Sequence, residues 1–127
     1  MSWDIVLFNS RQKIQSVEEL DETQLEPTDF CAVLESHFNE IERSDNHRRI
    51  KGKDFEIDYF QDDEPVSNKI LSLYGESGLY EIVALARKHN WQIFDTGHGQ
   101  MIDLEDPSIN GYESFQRYLQ QVLKGNE

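Results

Sequence analysis

The hydrophobic pattern changes period along the first half of the chain. Trp3 to Phe8 is an apolar, β-rich stretch, with Trp3, Ile5 and Leu7 on one face, and it predicts a first strand. After Thr28 the spacing becomes three and four residues, which predicts one stripe of a helix. The positions of that stripe are Phe30, Val33, Leu34, His37, Phe38 and Ile41.

The middle of the chain predicts a hairpin. Arg43 to Lys53 is polar and is interpreted as a connection rich in basic residues. Phe55 to Phe60 alternates between apolar and charged residues and predicts a strand. A turn at Gln61 to Pro65 leads to another predicted strand near Lys69 to Tyr74.

A second helix and a second hairpin are predicted next. Leu79 to Ala86 has helical spacing, and Asn90 is a plausible cap. Trp91 to Asp95, a glycine turn, and Gln100 to Leu104 predict two short strands. A last helix is predicted after Pro107, with an apolar face of Tyr112, Phe115, Leu119, Val122 and Leu123. This order predicts one α+β domain over residues 1–127, a mainly antiparallel sheet with helices packed on one face, resembling a ferredoxin-like sandwich variant.

Charge narrows the classes of partner. The chain has 25 acidic and 12 basic residues and a formal net charge of -13. Nucleic acids and anionic membranes would have to approach against like charge, so neither is expected as a partner, whereas a basic protein would be attracted. The acidic residues taken as a candidate partner-binding set are Asp58, Asp62, Asp63 and Glu64. The alternative is that the charge serves only solubility.

The cysteine count and the apolar runs of the sequence indicate the compartment in which the protein is expected. Cys31 is the only cysteine, so no internal disulfide can form. The first residues lack a basic region followed by a long apolar run, so no secretory signal is recognised, and no apolar run has the length of a membrane span. We therefore expect a cytoplasmic protein, either a monomer or a homodimer.

Asp95-Thr96-Gly97 resembles the signature of aspartic proteases. That reading is disfavoured, because His98 replaces the Ala or Ser that the family places next, the motif follows a helix, and too little chain remains to build the fold. A turn tethered by the Asp95 side chain is the favoured interpretation. An alternative site combines Asp95, His98 and Asp103 across the hairpin. No spacing typical of a metal or cofactor site was found, and no catalytic residue is assigned.

From Phe55 to Leu104 the order of elements resembles a group of small bacterial α+β proteins without assigned activity. Small acidic proteins of this kind also resemble immunity proteins, which cover the active sites of basic toxins. The acidic charge and the absence of a catalytic constellation lead us to expect a non-enzymatic, protein-binding module, and the resemblance implies an immunity or antidote type. The alternative is a small-molecule-binding protein or enzyme that uses the hairpin from Asp95 to Asp103.

Overall fold

The computed structural model describes residues 3–16, 18, 20–61, 64–97 and 99–105. Across these residues seven strands form one sheet in the order β2-β3-β4-β5-β1-β6-β7, and all their pairings are antiparallel. The strands are β1 (Trp3–Phe8), β2 (Ile41–Ser44), β3 (His47–Gly52), β4 (Phe55–Phe60), β5 (Asn68–Tyr74), β6 (Gln92–Asp95) and β7 (Gln100–Met101). The helices are α1 (Phe30–His37) and α2 (Glu76–His89), and a 3-10 turn covers Glu22–Gln24.

Helix α1 begins where the sequence predicts and ends earlier. The Asp29 side chain accepts a hydrogen bond from the backbone N–H of Ala32 at 2.9 Å and so caps the first turn. Phe38 already has an extended backbone, with φ at -100°. Ile41, predicted on the helical stripe, instead begins β2. The helical spacing at Ile41 was accidental, because this residue faces the core from a strand.

The predicted polar connection from Arg43 to Lys53 was wrong, since this segment belongs mainly to the β2–β3 hairpin. Only Ile41 and Ile50 supply an apolar signal on the core side, and the two residues lie opposite each other. The charged residues are satisfied by neighbouring elements rather than by water alone. For example, Lys51 Nζ lies 2.7 Å from Glu42 Oε1 across the hairpin.

The other described elements agree with the patterns. The β4–β5 hairpin, α2 and the β6–β7 hairpin are confirmed. Asn90 follows α2 in the left-handed region at φ 61°, where asparagine is tolerated better than most residues, and its N–H bonds the Ala86 carbonyl. The helix predicted after Pro107 lies outside the described residues.

Both helices cover one face of the sheet. Alternate strand residues meet them in a single core, which is why Ile5 and Leu7 are fully buried. The other strand residues of that core are Ile50, Ile57, Tyr59, Leu71, Leu73 and Ile93. An α+β fold is therefore confirmed, while the finer likeness to a ferredoxin-like sandwich is not. Neither described helix is long and apolar enough to cross a membrane.

The β2–β3 hairpin should contribute to stability through Ile50, whose side chain is fully buried. We expect Ile50→Ala to lower the free energy of unfolding by about 2–5 kcal/mol, because it leaves a cavity in the core. The exposed neighbour Lys51 provides the control, and Lys51→Ala should have a much smaller effect because its ion pair lies in water. Urea denaturation measures both. Equal small losses would mean that the hairpin does not pack on the core.

Candidate protein-binding face

The face of the sheet that points away from α1 and α2 is here called the open face. Its central feature is a row of apolar side chains, one from each of five strands, here called the apolar row. In order across the sheet the row consists of Phe60, Ile70, Val6, Phe94 and Met101. Val6 lies opposite both Ile70 and Phe94, and Phe94 lies opposite Met101. Ile70 is 60% exposed and Phe60 is 55% exposed.

The apolar row is one residue wide on β5, whereas on β1 the next residue of the same face after Val6 is Phe8, which is apolar and buried. Two positions along the same face, Asp4 and Ser72 lie opposite each other, and Ser72 also lies opposite Asp58. The Ser72 hydroxyl donates to Asp4 Oδ1 at 2.7 Å. A row of polar groups therefore runs beside the apolar one, and we call Asp4, Ser72 and Asp58 the polar row.

The apolar row contains a depression where β4 and β5 diverge. Their ladder ends at the pair Asp58–Ser72, although β4 continues to Phe60. The depression has a volume of about 470 Å³, and Phe60 and Ile70 are among the residues that line it. Beyond the ladder the Phe60 carbonyl accepts a hydrogen bond from Lys69 Nζ at 2.9 Å. A side chain thus replaces the missing strand partner.

Beneath this divergence, on the helix side, lies a buried ion pair. Lys69 Nζ is 2.8 Å from Glu64 Oε1, and the two side chains are 2% and 7% exposed. The same carboxylate oxygen accepts a hydrogen bond from Cys31 Sγ on α1 at 3.0 Å. Burying two charges is costly unless both are paired, so the partners must stay together. The pair therefore ties the residues before β5 to α1 and to the end of β4.

Two further polar atoms in this region, the hydroxyl of Tyr59 and Oε2 of Glu64, are buried without a hydrogen-bond partner. Burial raises the pKa of the Cys31 thiol to about 12, and the bond to Glu64 acts in the same direction. Burial also raises the pKa of Tyr59 above its usual value. A thiol that stays protonated at neutral pH is a poor nucleophile, so the arrangement around Cys31 is suited to packing rather than to covalent chemistry.

The other half of the open face, on β2, β3 and β4, carries paired charges. Arg49 Nε is 2.7 Å from Asp58 Oδ1, and Arg49 Nη2 is 2.9 Å from Oδ2, so the pair is bidentate. The Arg49 guanidinium also lies 5.9 Å from the centre of the Tyr74 ring. These hydrogen bonds hold the pKa of Asp58 below its usual value. The charges in this half of the face are therefore paired within the chain, whereas the apolar row contains no charged side chain.

The predicted acidic set is divided by the fold. Asp58 lies on the open face but is bound to Arg49, and Glu64 is buried against Lys69. Asp62 and Asp63 lie outside the described residues. The carboxylates of Asp58 and Glu64 thus already have partners within the chain, so neither presents an unpaired charge to a ligand.

The alternative site is also divided. Asp95 is 1% exposed, and its Oδ1 accepts a hydrogen bond from the Gly97 N–H at 2.9 Å. The side chain therefore tethers the hairpin turn, as the favoured interpretation predicts. Asp103 is exposed and accepts from the N–H of Glu105 at 2.9 Å. His98 lies outside the described residues.

Asp103 also borders a larger cleft of about 680 Å³, at the end of β6. Gln92 organises one wall, because its side chain bonds the backbone N–H of Ile14 and the carbonyl of Gln12. The two arginines of the lining are engaged locally. Arg11 pairs with Glu26 at 3.2 Å, and Arg87 donates to the Leu104 carbonyl. The cleft therefore has a mixed polar and apolar lining whose two arginines are paired locally.

No cluster of three metal-ligating side chains occurs within the described part of the chain. Phe60, Ile70 and Lys69 were not predicted from the sequence as functional residues. A usable signal was present for Ile70, because it is an apolar residue at an outward position of an alternating strand. No comparable signal marked Lys69, which points inward among leucines.

No family model, curated protein or solved structure matches this chain significantly.

The effects of changing Lys69 and Glu64 on the free energy of unfolding should be strongly coupled. We expect Lys69→Met to destabilise the protein by about 3–5 kcal/mol, because it leaves Glu64 buried without its cation. The double variant Lys69→Met/Glu64→Gln should recover a substantial part of that loss. A double-mutant cycle by urea denaturation measures the coupling. Additive effects of the two single changes would show that the pair does not form.

Asp58 should contribute pH-dependent stability. Its pKa is lowered in the folded state by Arg49, so its contribution is complete above the unfolded value of about 3.9 and is lost as pH falls through the folded pKa. We expect Asp58→Asn to cost about 1 kcal/mol at pH 7 and progressively less in acid. Thermal denaturation of both proteins from pH 7 to pH 2 measures the difference. A cost that stays constant over this range would contradict the assignment.

Proposed function

We propose that this protein is a non-enzymatic, protein-binding module of antidote or immunity type, which binds a basic partner on its open face. The observation that carries the proposal is the end of the apolar row on β4 and β5, where Phe60 and Ile70 leave more than half of their surface in water. Contiguous apolar groups on a surface are a common mark of an interaction site. The cytoplasmic location and the finer ferredoxin-like description remain predictions.

The anatomy of the face supports a protein rather than a small ligand. Interfaces commonly combine an apolar centre with a polar rim, and their binding energy is concentrated in a few residues near a pocket. Here the depression between Phe60 and Ile70 provides the pocket, and the polar row provides one side of the rim. The net charge of -13 favours a basic partner by steering its approach.

The buried pair beneath the face supports a rigid, preformed site. Lys69 and Glu64 fix the divergence of β4 and β5, so the depression does not have to be formed on binding. A preformed pocket lowers the entropic cost of association.

Ile70→Asp tests this function. The side chain is exposed, so the change should alter the free energy of unfolding by about 1 kcal/mol or less while it places a charge in the centre of the interface. The immobilised protein would be used to capture a partner from a lysate of its own source. The captured protein is then purified, and its affinity is measured for each variant.

We expect Ile70→Asp to weaken this affinity at least tenfold. Ala84→Asp, at an exposed position of α2, is the matched control because it adds the same charge away from the open face, and it should bind like the unmodified chain. The association rate should also fall steeply with added salt. Equal binding by both variants would overturn the proposed site, and an association rate insensitive to salt would overturn the electrostatic part.

A further inference from the structure

The direction of the apolar row indicates what kind of segment the partner presents. We infer that the partner contributes an amphipathic, basic helix of about thirteen residues that lies across the strands of the open face. This inference rests on the proposed function and names the structural class and charge of the docking segment.

The apolar row runs across the strands and not along them. On β5 the exposed apolar residue Ile70 is bordered along the strand by the polar residues Asn68 and Ser72, and on β1 Val6 is bordered by Asp4 on one side and by the buried Phe8 on the other. A segment that lay along a strand would therefore place its apolar residues over polar groups. A segment that lies across the strands meets an apolar residue at each one. Five strands at spacings of about 4.8 Å give a row about 19 Å long.

The length of the apolar row matches that of a short helix. A helix rises about 1.5 Å per residue and about 5.4 Å per turn, so about thirteen residues cover the row. One helical turn is close to the distance between neighbouring strands. Side chains at positions i, i+3 or i+4, and i+7 would thus each meet a successive strand.

The backbone hydrogen bonds of the partner also favour a helix. An extended segment lying across a sheet face finds no strand edge with which to pair, and its buried N–H and C=O groups would lose their hydrogen bonds. A helix satisfies most of its own backbone groups internally. Covering the apolar row therefore favours a helix over an extended peptide.

The charge on the open face favours a basic segment. Asp4 lies in the polar row beside Val6, its carboxylate accepts from Ser72, and none of the described basic side chains lies within ion-pair distance of it. Asp58, by contrast, is already bound to Arg49. A lysine or arginine on the docking helix would pair with Asp4. A second copy of this acidic chain would bring another charge of -13 to the interface and is disfavoured for that reason.

The probe is a synthetic fourteen-residue peptide of leucine and lysine with its leucines at helical spacing. A peptide of the same composition with leucine and lysine in strict alternation is the control for period, and a helical leucine–glutamate peptide is the control for charge. Each carries a fluorescent label, and its anisotropy is measured against the full chain at several salt concentrations.

We expect the helical basic peptide to bind at least tenfold more tightly than either control. Ile70→Asp should weaken its binding at least tenfold, whereas Ala84→Asp should not. Because Ile70→Asp adds a negative charge, simple electrostatic attraction would strengthen binding of a basic peptide, so the expected change has the opposite sign. Asp4→Asn should weaken binding severalfold and reduce its dependence on salt.

Five results would overturn the inference. The alternating peptide binding as well as the helical one would show charge attraction without a helical site. Crosslinks from the open face to residues 106–127 of the same chain, or a dimer in solution that Ile70→Asp dissociates, would identify another occupant. If the natural partner binds in an Ile70-dependent way but the helical peptide does not compete with it, the helix inference fails while the proposed function stands. Partner binding that does not depend on Ile70 would remove both.

Discussion

The buried ion pair between Lys69 and Glu64 is the constraint on which the rest of the structure depends. Two opposite charges in a dry interior are tolerable only together, so their positions fix one another. Cys31 adds a bond from α1, and the Phe60 carbonyl adds one from β4. The ion pair thereby joins a helix, two strands and the connection between the strands. It also replaces the ladder hydrogen bonds that β4 and β5 lose where they diverge.

That divergence explains why the open face has two different halves. On β2, β3 and β4 the charged residues bind across the strands, as Arg49 does with Asp58, so this half is satisfied without a partner. On β4 and β5 the apolar row leaves Phe60 and Ile70 more than half exposed beside the depression. The charges are therefore paired within the chain in one half, whereas these two apolar side chains face water in the other. A binding partner gains most by covering them.

Much of the fold followed from short-range pattern. The alternation in β4, the helical spacing that begins at Phe30 and the cap at Asn90 are properties of residues close together in the chain. The candidate acidic site did not follow in the same way. Composition identified Asp58 and Glu64 as acidic, but their availability depends on Arg49 and Lys69, which lie on neighbouring strands or across a connection. The apolar row was missed because its members are scattered along the sequence.

By itself the sequence determined the α+β class, most of the strands and both described helices, because periodicity and capping depend on residues within a turn or two of each other. Only the tertiary structure decided that residues 41–52 form a hairpin, that Glu64 is buried, and that Val6, Phe60, Ile70, Phe94 and Met101 lie in one row. The physical reason is register. Which side chains meet across a sheet depends on the pairing of distant strands, and a shift of one residue would move each of them to the opposite face.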